Sequence, residues 1–421
     1  MKALVAGLGI EPERQVKTFQ FKARNSVKLR GRRVPALLLM AVSLSAISSP
    51  AADERRRSYL INEQPSGARM ADWSQAGFGP RHRAFNPFEN VLTRSNVRGL
   101  TQAWASPVGA LTLFASPVVA DGRVFIGSGD GHMYAFDAAT GATLWVGVPQ
   151  LPPFVDSAAT GHGLVFASSL EQTLLAYDAE TGAIVWTSPL TVVRASPTLH
   201  NRNLYIASFD GTLTALDAET GTPKWSAAGG CCVFDQAPVV AGGMVFQMRT
   251  DHTLTAYDAS TGRQLWSTPA FSVGTLAAAY GMLFFNSYPN VVALDQATGA
   301  QVWTAPVVTA ATTGAPAVAD GMVFVTQSQL WALDAATGAV VWSAPAASGW
   351  GPVVANGVVY ASSLSGEWDA FDERTGSLLW SVTVGSGGCG GSCANAVPVV
   401  ANGTLYLPGP DNFLRAYTLS R

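Results

Sequence analysis

Seven side chains in this sequence are of types that could do chemistry together. Cys231, Cys232 and Asp235 stand in SAAGGCCVFDQAP, Asp156 is the last but one residue of VGVPQLPPFVDS, and Asn395 follows Cys389 and Cys393 in SVTVGSGGCGGSCANAVP. Arg194 and Trp350 hold the corresponding places in two further loops. Two acids, an Arg, a Trp, an amide and adjacent cysteines gathered around one opening would form a cofactor seat, with either acid available as a base. The cysteines also have a plainer reading, as two structural bridges of an exported protein. Four cysteines allow three pairings; Cys389 with Cys393 closes a short Gly-containing loop with little strain, which leaves Cys231 to Cys232. Other patterns lack the context their chemistry needs. Gly385, Gly387 and Gly390 spell GxGxxG, but a strand pattern follows where a dinucleotide site requires a helix. The cysteines do not form CxxCH, and His132, His162, His200 and His252 fall at or beside turns without the spacing of a metal-ligand set.

The elements that must hold these loops are written seven times. YAFDAATGATLW ends at Trp145, and further copies of the Asp-turn-Trp pattern end at Trp186, Trp225, Trp266, Trp303, Trp342 and Trp380, at intervals of 37 to 41 residues. A period of that length marks a repeat architecture. In each copy an alternating run leads to an Asp-x-x-Thr-Gly turn and a second alternating run ends in Trp, which is a β-hairpin pattern. The Asp accepts backbone N–H groups a few residues on, and Gly141, Gly182 and their equivalents supply positive φ. The Ala two positions before each Asp is expected to leave room for an indole from a neighbouring blade. A second hairpin precedes each copy, as in SPVVADGRVFIGS, with Asp121-Gly122, Gly242-Gly243, Asp320-Gly321, Asn356-Gly357 and Asn402-Gly403 at its turns. Asp130, Asp210 and Asp251 mark the loops on the opposite face and are read as turn residues.

Four strands in about 40 residues make a propeller blade. Trp104 has no Asp-turn ahead of it, while Ala396 to Leu419 supplies three strands with no Trp strand after them. Pairing Val97 to Ser106 with that last unit gives an all-β, eight-bladed β-propeller of four-stranded antiparallel blades, closed by the N-terminal strand. The repeated AxDAxTGxxxW resembles the tryptophan-docking motif of the pyrroloquinoline quinone (PQQ) type propeller repeat over about residues 72 to 419. That family includes quinoprotein alcohol dehydrogenases and the outer-membrane assembly lipoprotein of the β-barrel machinery. Its dehydrogenases carry a neighbouring Cys pair whose disulfide lies against PQQ, and Cys231 and Cys232 resemble that pair. Here the pair follows the third full repeat, where in those enzymes it follows the first, and the sizeable insertions that build their cofactor chamber are missing.

The remaining chain sets the context. The composition is 48% apolar and only 13% charged. Residues 1–52 hold nine Lys or Arg against two Glu, leaving 17 basic and 26 acidic residues in the rest, a formal −9 that argues against a nucleic-acid partner. Arg30, Arg32 and Arg33 precede VPALLLMAVSLSAI, too short for a membrane span, and then SSPAAD, the order of a secretory signal peptide. A short anchor is the alternative, and cleavage after Ser48 or Ala52 fits equally. No Cys precedes Cys231, so a lipoprotein signal is not expected. The expected organisation is a signal peptide with an extended leading region over 1–52, a linker over 53–71, and the propeller over 72–421. In the lead-in from Asp72, Trp73 and Phe85 are expected to pack on the propeller wall, and Asn86, Pro87 and Glu89 to serve as turn and cap residues. Standing outside the repeats, Trp73 is expected to contribute less stability than a docking Trp.

The sequence thus predicts a monomeric, extracytoplasmic propeller serving as a binding or scaffold module. A protein or a small-molecule or saccharide ligand is expected at the channel mouth, near Cys231, Cys232, Arg194, Trp350 and Asn395. The alternative is a compact dehydrogenase using PQQ and Ca²⁺ to oxidise alcohols or sugars, with Asp235 or Asp156 as base and the Cys pair on the quinone face. No metal ligands can be placed from the sequence.

Overall fold

Alternating side chains and tight turns fold each repeat into a small twisted sheet. In the computed structural model the first blade runs from its inner strand Val118–Ala120 through Arg123–Gly127 and Met133–Asp137 to the outer strand Thr143–Val146, each antiparallel to the next. The order recurs from inner strands Ala159–Gly161, Thr198–His200, Val239–Ala241, Ala277–Ala279, Ala317–Ala319, Val353–Ala355 and Val399–Ala401, giving eight blades. The structure describes residues 71–110, 115–149, 154, 156–169, 173–190, 195–208, 210–228, 236–249, 251–272, 274–307, 314–345, 351–362, 367–384 and 397–420. The ring closes where Leu100–Pro107 pairs antiparallel with Phe413–Leu419, placing Trp104 opposite Ala416. Val97–Gly99, expected as the start of that strand, is a 3₁₀ turn leading into it. Turn chemistry follows the sequence. Asp137 Oδ1 accepts the Thr140 N–H at 2.9 Å and the Thr140 hydroxyl at 2.7 Å, and the same bonds recur at Asp178 and Asp334. Asp210 and Asp251 likewise accept N–H groups two residues on.

The blades hold one another through indoles, but at a different residue from the one expected. The Ala two positions before each Asp lies opposite the Trp of its own blade, as Ala135 does with Trp145. The neighbour's indole instead lies on the Gly of the Asp-x-x-Thr-Gly turn. Trp145 covers Gly182, Trp186 covers Gly221, and the series continues from Trp104 on Gly141 to Trp342 on Gly376. The Trp145 Nε1–H donates to the Ala179 carbonyl at 3.1 Å, a bond repeated at most of the interfaces. Trp266, facing Gln296 where five other blades have Ala, lacks it. At the closing seam Trp380 meets the ring of Tyr417 edge-on, with centroids 5.6 Å apart. The turn Gly is therefore doubly required, by its positive φ and by the space above it. Gly163 and Gly182 separate the two demands: φ is +75° and +73°, but an added Cβ meets nothing within 4 Å at Gly163 and falls 2.7 Å from the Trp145 ring at Gly182. Gly163→Ala is expected to cost about 1 to 2 kcal/mol from backbone conformation alone. Gly182→Ala adds about 1 to 3 kcal/mol of overpacking. Urea denaturation of the two variants measures the difference, and equal losses would remove the steric role.

The lead-in has a larger part than a wall contact. Trp73 and Phe85 do meet a wall, that of the central channel. From Trp73 to Asn86 the chain circles inside the ring and bonds every inner strand in turn. The carbonyls of Trp73, Ser74, Pro80, Arg81, Arg83 and Ala84 accept the N–H groups of Val119, Thr160, Val240, Ala278, Val318 and Val354, at 2.6 to 2.9 Å. The third blade is met by the Gln75 side-chain amide, which accepts from Leu199 N–H at 2.8 Å and donates to Leu199 O at 3.0 Å. Asn86 Nδ2 donates to Val400 O in the eighth blade at 2.8 Å. Eight inner edges that would present unpaired backbone groups to the channel are thus satisfied by one strap. Asn86 and Glu89 also cap, as expected: Asn86 Oδ1 accepts the N–H of Phe88 and Glu89, and Glu89 accepts those of Val91, Leu92 and Gly403. His82, buried at the strap's centre, sits 3.2 Å from the Thr198 hydroxyl.

Candidate functional site

The strap and the inner hairpin turns lie on one face, where the Gly122 carbonyl accepts the N–H of Ala138 in the Asp-turn. The Trp strands end, and the next inner strands begin, on the other face, the channel mouth. Of the residues singled out for the mouth, Cys231, Cys232, Asp235, Arg194, Trp350 and Asn395 lie outside the described residues, as do Cys389 and Cys393. Asp156 is described and half-buried at the start of the second blade's inner strand. Beside it, serines tie neighbouring blades. Ser116 Oγ accepts Val397 N–H at 2.7 Å, Ser157 Oγ accepts Ser116 N–H at 3.0 Å, and Ser196 Oγ accepts Ser157 N–H at 3.1 Å.

Two further mouth residues were not anticipated. Gln236, 4% exposed, precedes the fourth inner strand immediately after Asp235, and Gln247, 2% exposed, packs behind it. Gln247 Nε2 donates to Met248 O at 3.0 Å, but its Oε1 and both polar atoms of the Gln236 side chain have no partner. A buried amide without partners costs about 1 to 3 kcal/mol, so each such group calls for an explanation, a ligand among them. The sequence signal was faint: polar Gln247 stands where the other middle strands carry small or apolar residues, as in VFQM against VFIG. Among the described residues no group of three or more His, Cys, Asp or Glu stands together to hold a metal ion.

A second concavity lies on the strap face. It measures about 540 Å³ and is bounded by Phe85, Asn86 and Pro87 of the strap, Asp320 and Met322 of the sixth blade, and Asn356 and Glu373 of the seventh, with Arg94 and Arg374 also lining it. The corresponding notch between the first two blades, at Ala179, measures only about 60 Å³. Glu373 replaces the Ala that follows the turn Asp in most other blades, and it is 3% exposed. Burial, and then the nearby Asp320 charge, push its carboxyl up to about 7. Burial pushes His82 down to about 4.

These two groups act oppositely on stability. His82, lowered when folded, contributes stability that is full above its unfolded pKa and is lost as pH falls from 6.5 towards 4. Glu373, raised when folded, contributes stability that is full below its unfolded pKa near 4.5 and is lost as pH rises to about 7. Glu373→Gln removes the second term. Between pH 5 and 6.5 the variant's stability is expected to rise with pH more steeply than the wild type's, by about 1.4 kcal/mol per pH unit. Urea titrations across that window check the slope, and parallel curves would place Glu373 in contact with water.

The geometry defines an eight-bladed propeller of tryptophan-docked repeats whose channel is strapped on one face. The family model described as outer membrane protein assembly factor BamB matches residues 99–159, 152–231, 171–272, 228–292, 268–349 and 287–420, and the chain belongs to that family of PQQ-like repeats. A curated relative, lupanine 17-hydroxylase [cytochrome c] of Pseudomonas sp, is 33% identical over 97 residues; the match spans 23% of this chain and 14% of that protein. Among solved structures, the quinohemoprotein alcohol dehydrogenase of Comamonas testosteroni aligns with a TM-score of 0.71 at 15% identity, covering 86% of this chain and 83% of that one. A europium-containing methanol dehydrogenase aligns with a TM-score of 0.64 at 15% identity, covering 82% and 88%. At these identities the likeness is one of fold. No helix among the described residues is long and apolar enough to cross a membrane.

Proposed function

We propose that this protein is an extracytoplasmic binding module whose channel mouth takes a small ligand rich in hydrogen-bonding groups, of the saccharide type, with the strapped ring as its scaffold. The observation that carries this reading is the pair of buried amides, Gln236 and Gln247, whose side-chain oxygens and Gln236 Nε2 have no partner. A hydroxyl-rich ligand both donates and accepts, as a carboxamide requires. The leading segment Arg30 to Asp53 supports export, and the four cysteines suit an oxidising compartment. A dehydrogenase reading draws on the fold likeness and on the adjacent Cys231 and Cys232 alone.

The test is to add PQQ and Ca²⁺, and separately a panel of sugars, to the purified protein while following Trp fluorescence and reduction of an electron-accepting dye. The binding-module reading expects saturable change with a sugar, weakened at least tenfold in Gln236→Leu, and no dye reduction. Saturable quenching by PQQ with turnover of an alcohol or sugar would replace it with the enzyme.

A further inference from the structure

The cavity on the strap face is built differently from its equivalents around the ring. Seven blades carry the Asp-x-x-Thr-Gly turn, and the residue after the Asp is Ala at 138, 179, 218, 259 and 335, Gln at 296 and Glu at 373. Gln296 shows what a long side chain does there: its Nε2 donates to Ala241 O at 3.2 Å and closes the gap to the preceding blade. Glu373 makes no such bond, and its Oε1 has no partner although the residue is 3% exposed. Its backbone is fully engaged, the N–H donating to Gly357 O and the carbonyl accepting the Trp342 indole N–H, each at 3.0 Å. The carboxyl is therefore held in place by a rigid turn beside a cavity about nine times the size of the notch at Ala179.

The rest of the lining decides what fits. The other polar groups near the floor are committed: Asn86 to Val400 O and the Phe88 and Glu89 N–H groups, Glu89 to the N–H groups of Val91, Leu92 and Gly403, and Asn356 Nδ2 to Leu92 O at 2.9 Å. Phe85, Pro87 and Met322 give apolar walls, while Arg94, Arg374 and Asp320 are exposed at the rim. Arg94 reaches the Asp372 carboxylate only at 3.5 Å, and an incoming anion can take a share of it. An unsatisfied carboxyl inside, short apolar walls and two guanidinium groups at the rim are complementary to a molecule with a cation at one end and an anion at the other.

We propose that this cavity binds a small zwitterion, an aminocarboxylate whose ammonium group seats on Glu373 and whose carboxylate lies towards Arg94 and Arg374. Seating an ammonium group requires the ionised carboxylate, so binding near neutral pH releases a proton from Glu373. The charged groups facing Glu373 are Asp320 from the sixth blade, Asp372 and Arg374 from its own turn, and Arg94 from the lead-in. A neutral polyol would release none.

Isothermal titration calorimetry with glycine, β-alanine, γ-aminobutyrate and 6-aminohexanoate, beside putrescine, butyrate and sorbitol, tests this at pH 6.5 in two buffers of different ionisation enthalpy. One or more aminocarboxylates are expected to give saturable heat that depends on the buffer, with putrescine and butyrate at least tenfold weaker. Glu373→Gln and Glu373→Ala should each weaken that binding at least tenfold, and Arg374→Gln should weaken the aminocarboxylate while sparing putrescine. Glu373→Ala installs the residue of five other blades, so its fold is secured by precedent, and a thermal melt verifies it. No saturable heat with any aminocarboxylate up to about 10 mM would overturn the proposal. So would binding that survives Glu373→Ala, or an equal response to sorbitol.

Discussion

Trp73→Ala is expected to lower the free energy of unfolding by about 3 to 5 kcal/mol, the range for a large aromatic lost from a sealed core, and to do so by more than either Trp186→Ala or Trp266→Ala. Position outside the repeats argues for a small effect, and burial reverses that argument. Trp73 is 2% exposed and packs edge-on against Phe78 at 5.4 Å between centroids, whereas Trp186 and Trp266 lie half-open on the blade rim. Its backbone begins the strap, with its carbonyl bonded to Val119 N–H, and Asp72 beside it accepts from Asp121 N–H at 3.0 Å and from Asn402 Nδ2 at 2.7 Å. Loosening Trp73 therefore exposes the first inner strand and the bond that joins the first blade to the eighth. Trp266 should be the mildest of the three, since its indole N–H has no partner to lose. Urea unfolding followed by circular dichroism ranks them, and a loss at Trp73 below that at Trp186 would show that the strap is held by its backbone alone.

The blades were legible because each writes the same local physics again: an Asp that satisfies its own turn, a Gly at positive φ, a period-two run and an indole. The strap was not legible because it binds mainly through carbonyls, which every residue has, so Pro80, Arg81, Arg83 and Ala84 share no side-chain pattern. Only Gln75 and Asn86, whose amides imitate a backbone edge, left a trace, and Asn86 was read as a cap, which it also is. The docking Gly was half legible. Its φ follows from the turn, but the indole above it comes from about 35 residues earlier, and spacing alone cannot say which blade supplies it. The chemistry-bearing residues expected at the channel mouth are visible as types in non-repeating loops, and of them Asp156 alone lies among the described residues. Glu373 leaves no trace in the sequence because DERTG keeps the turn consensus, and the cavity beside it is formed with Phe85, Asn86 and Pro87 of the strap, which share no pattern with the repeats.

A chain ending at Asn395 is expected to lose cooperative folding altogether. The deletion removes Val399–Ala401, Thr404–Pro408 and Phe413–Leu419, and so strips Leu100–Pro107 of the strand it pairs with from end to end. The buried side chains lost include Val399, Val400, Leu405, Tyr406, Leu407, Leu414 and Tyr417. At about 1.5 to 3 kcal/mol for each large apolar side chain, their burial alone is worth on the order of ten kcal/mol, comparable with the whole stability of a typical domain. The damage also spreads past the eighth blade. Trp380 loses the Tyr417 ring it rests against, Asn86 loses Val400 O, and Glu89 loses Gly403 N–H, so the strap comes free at its far end. A linear array of repeats could shed a terminal unit and fray. A ring joined by an indole seam outside and a continuous strap inside has no such terminal unit. Size-exclusion chromatography and a thermal melt of the truncated chain decide between these: a monomer with an unchanged melting temperature would mean that seven blades close without the eighth.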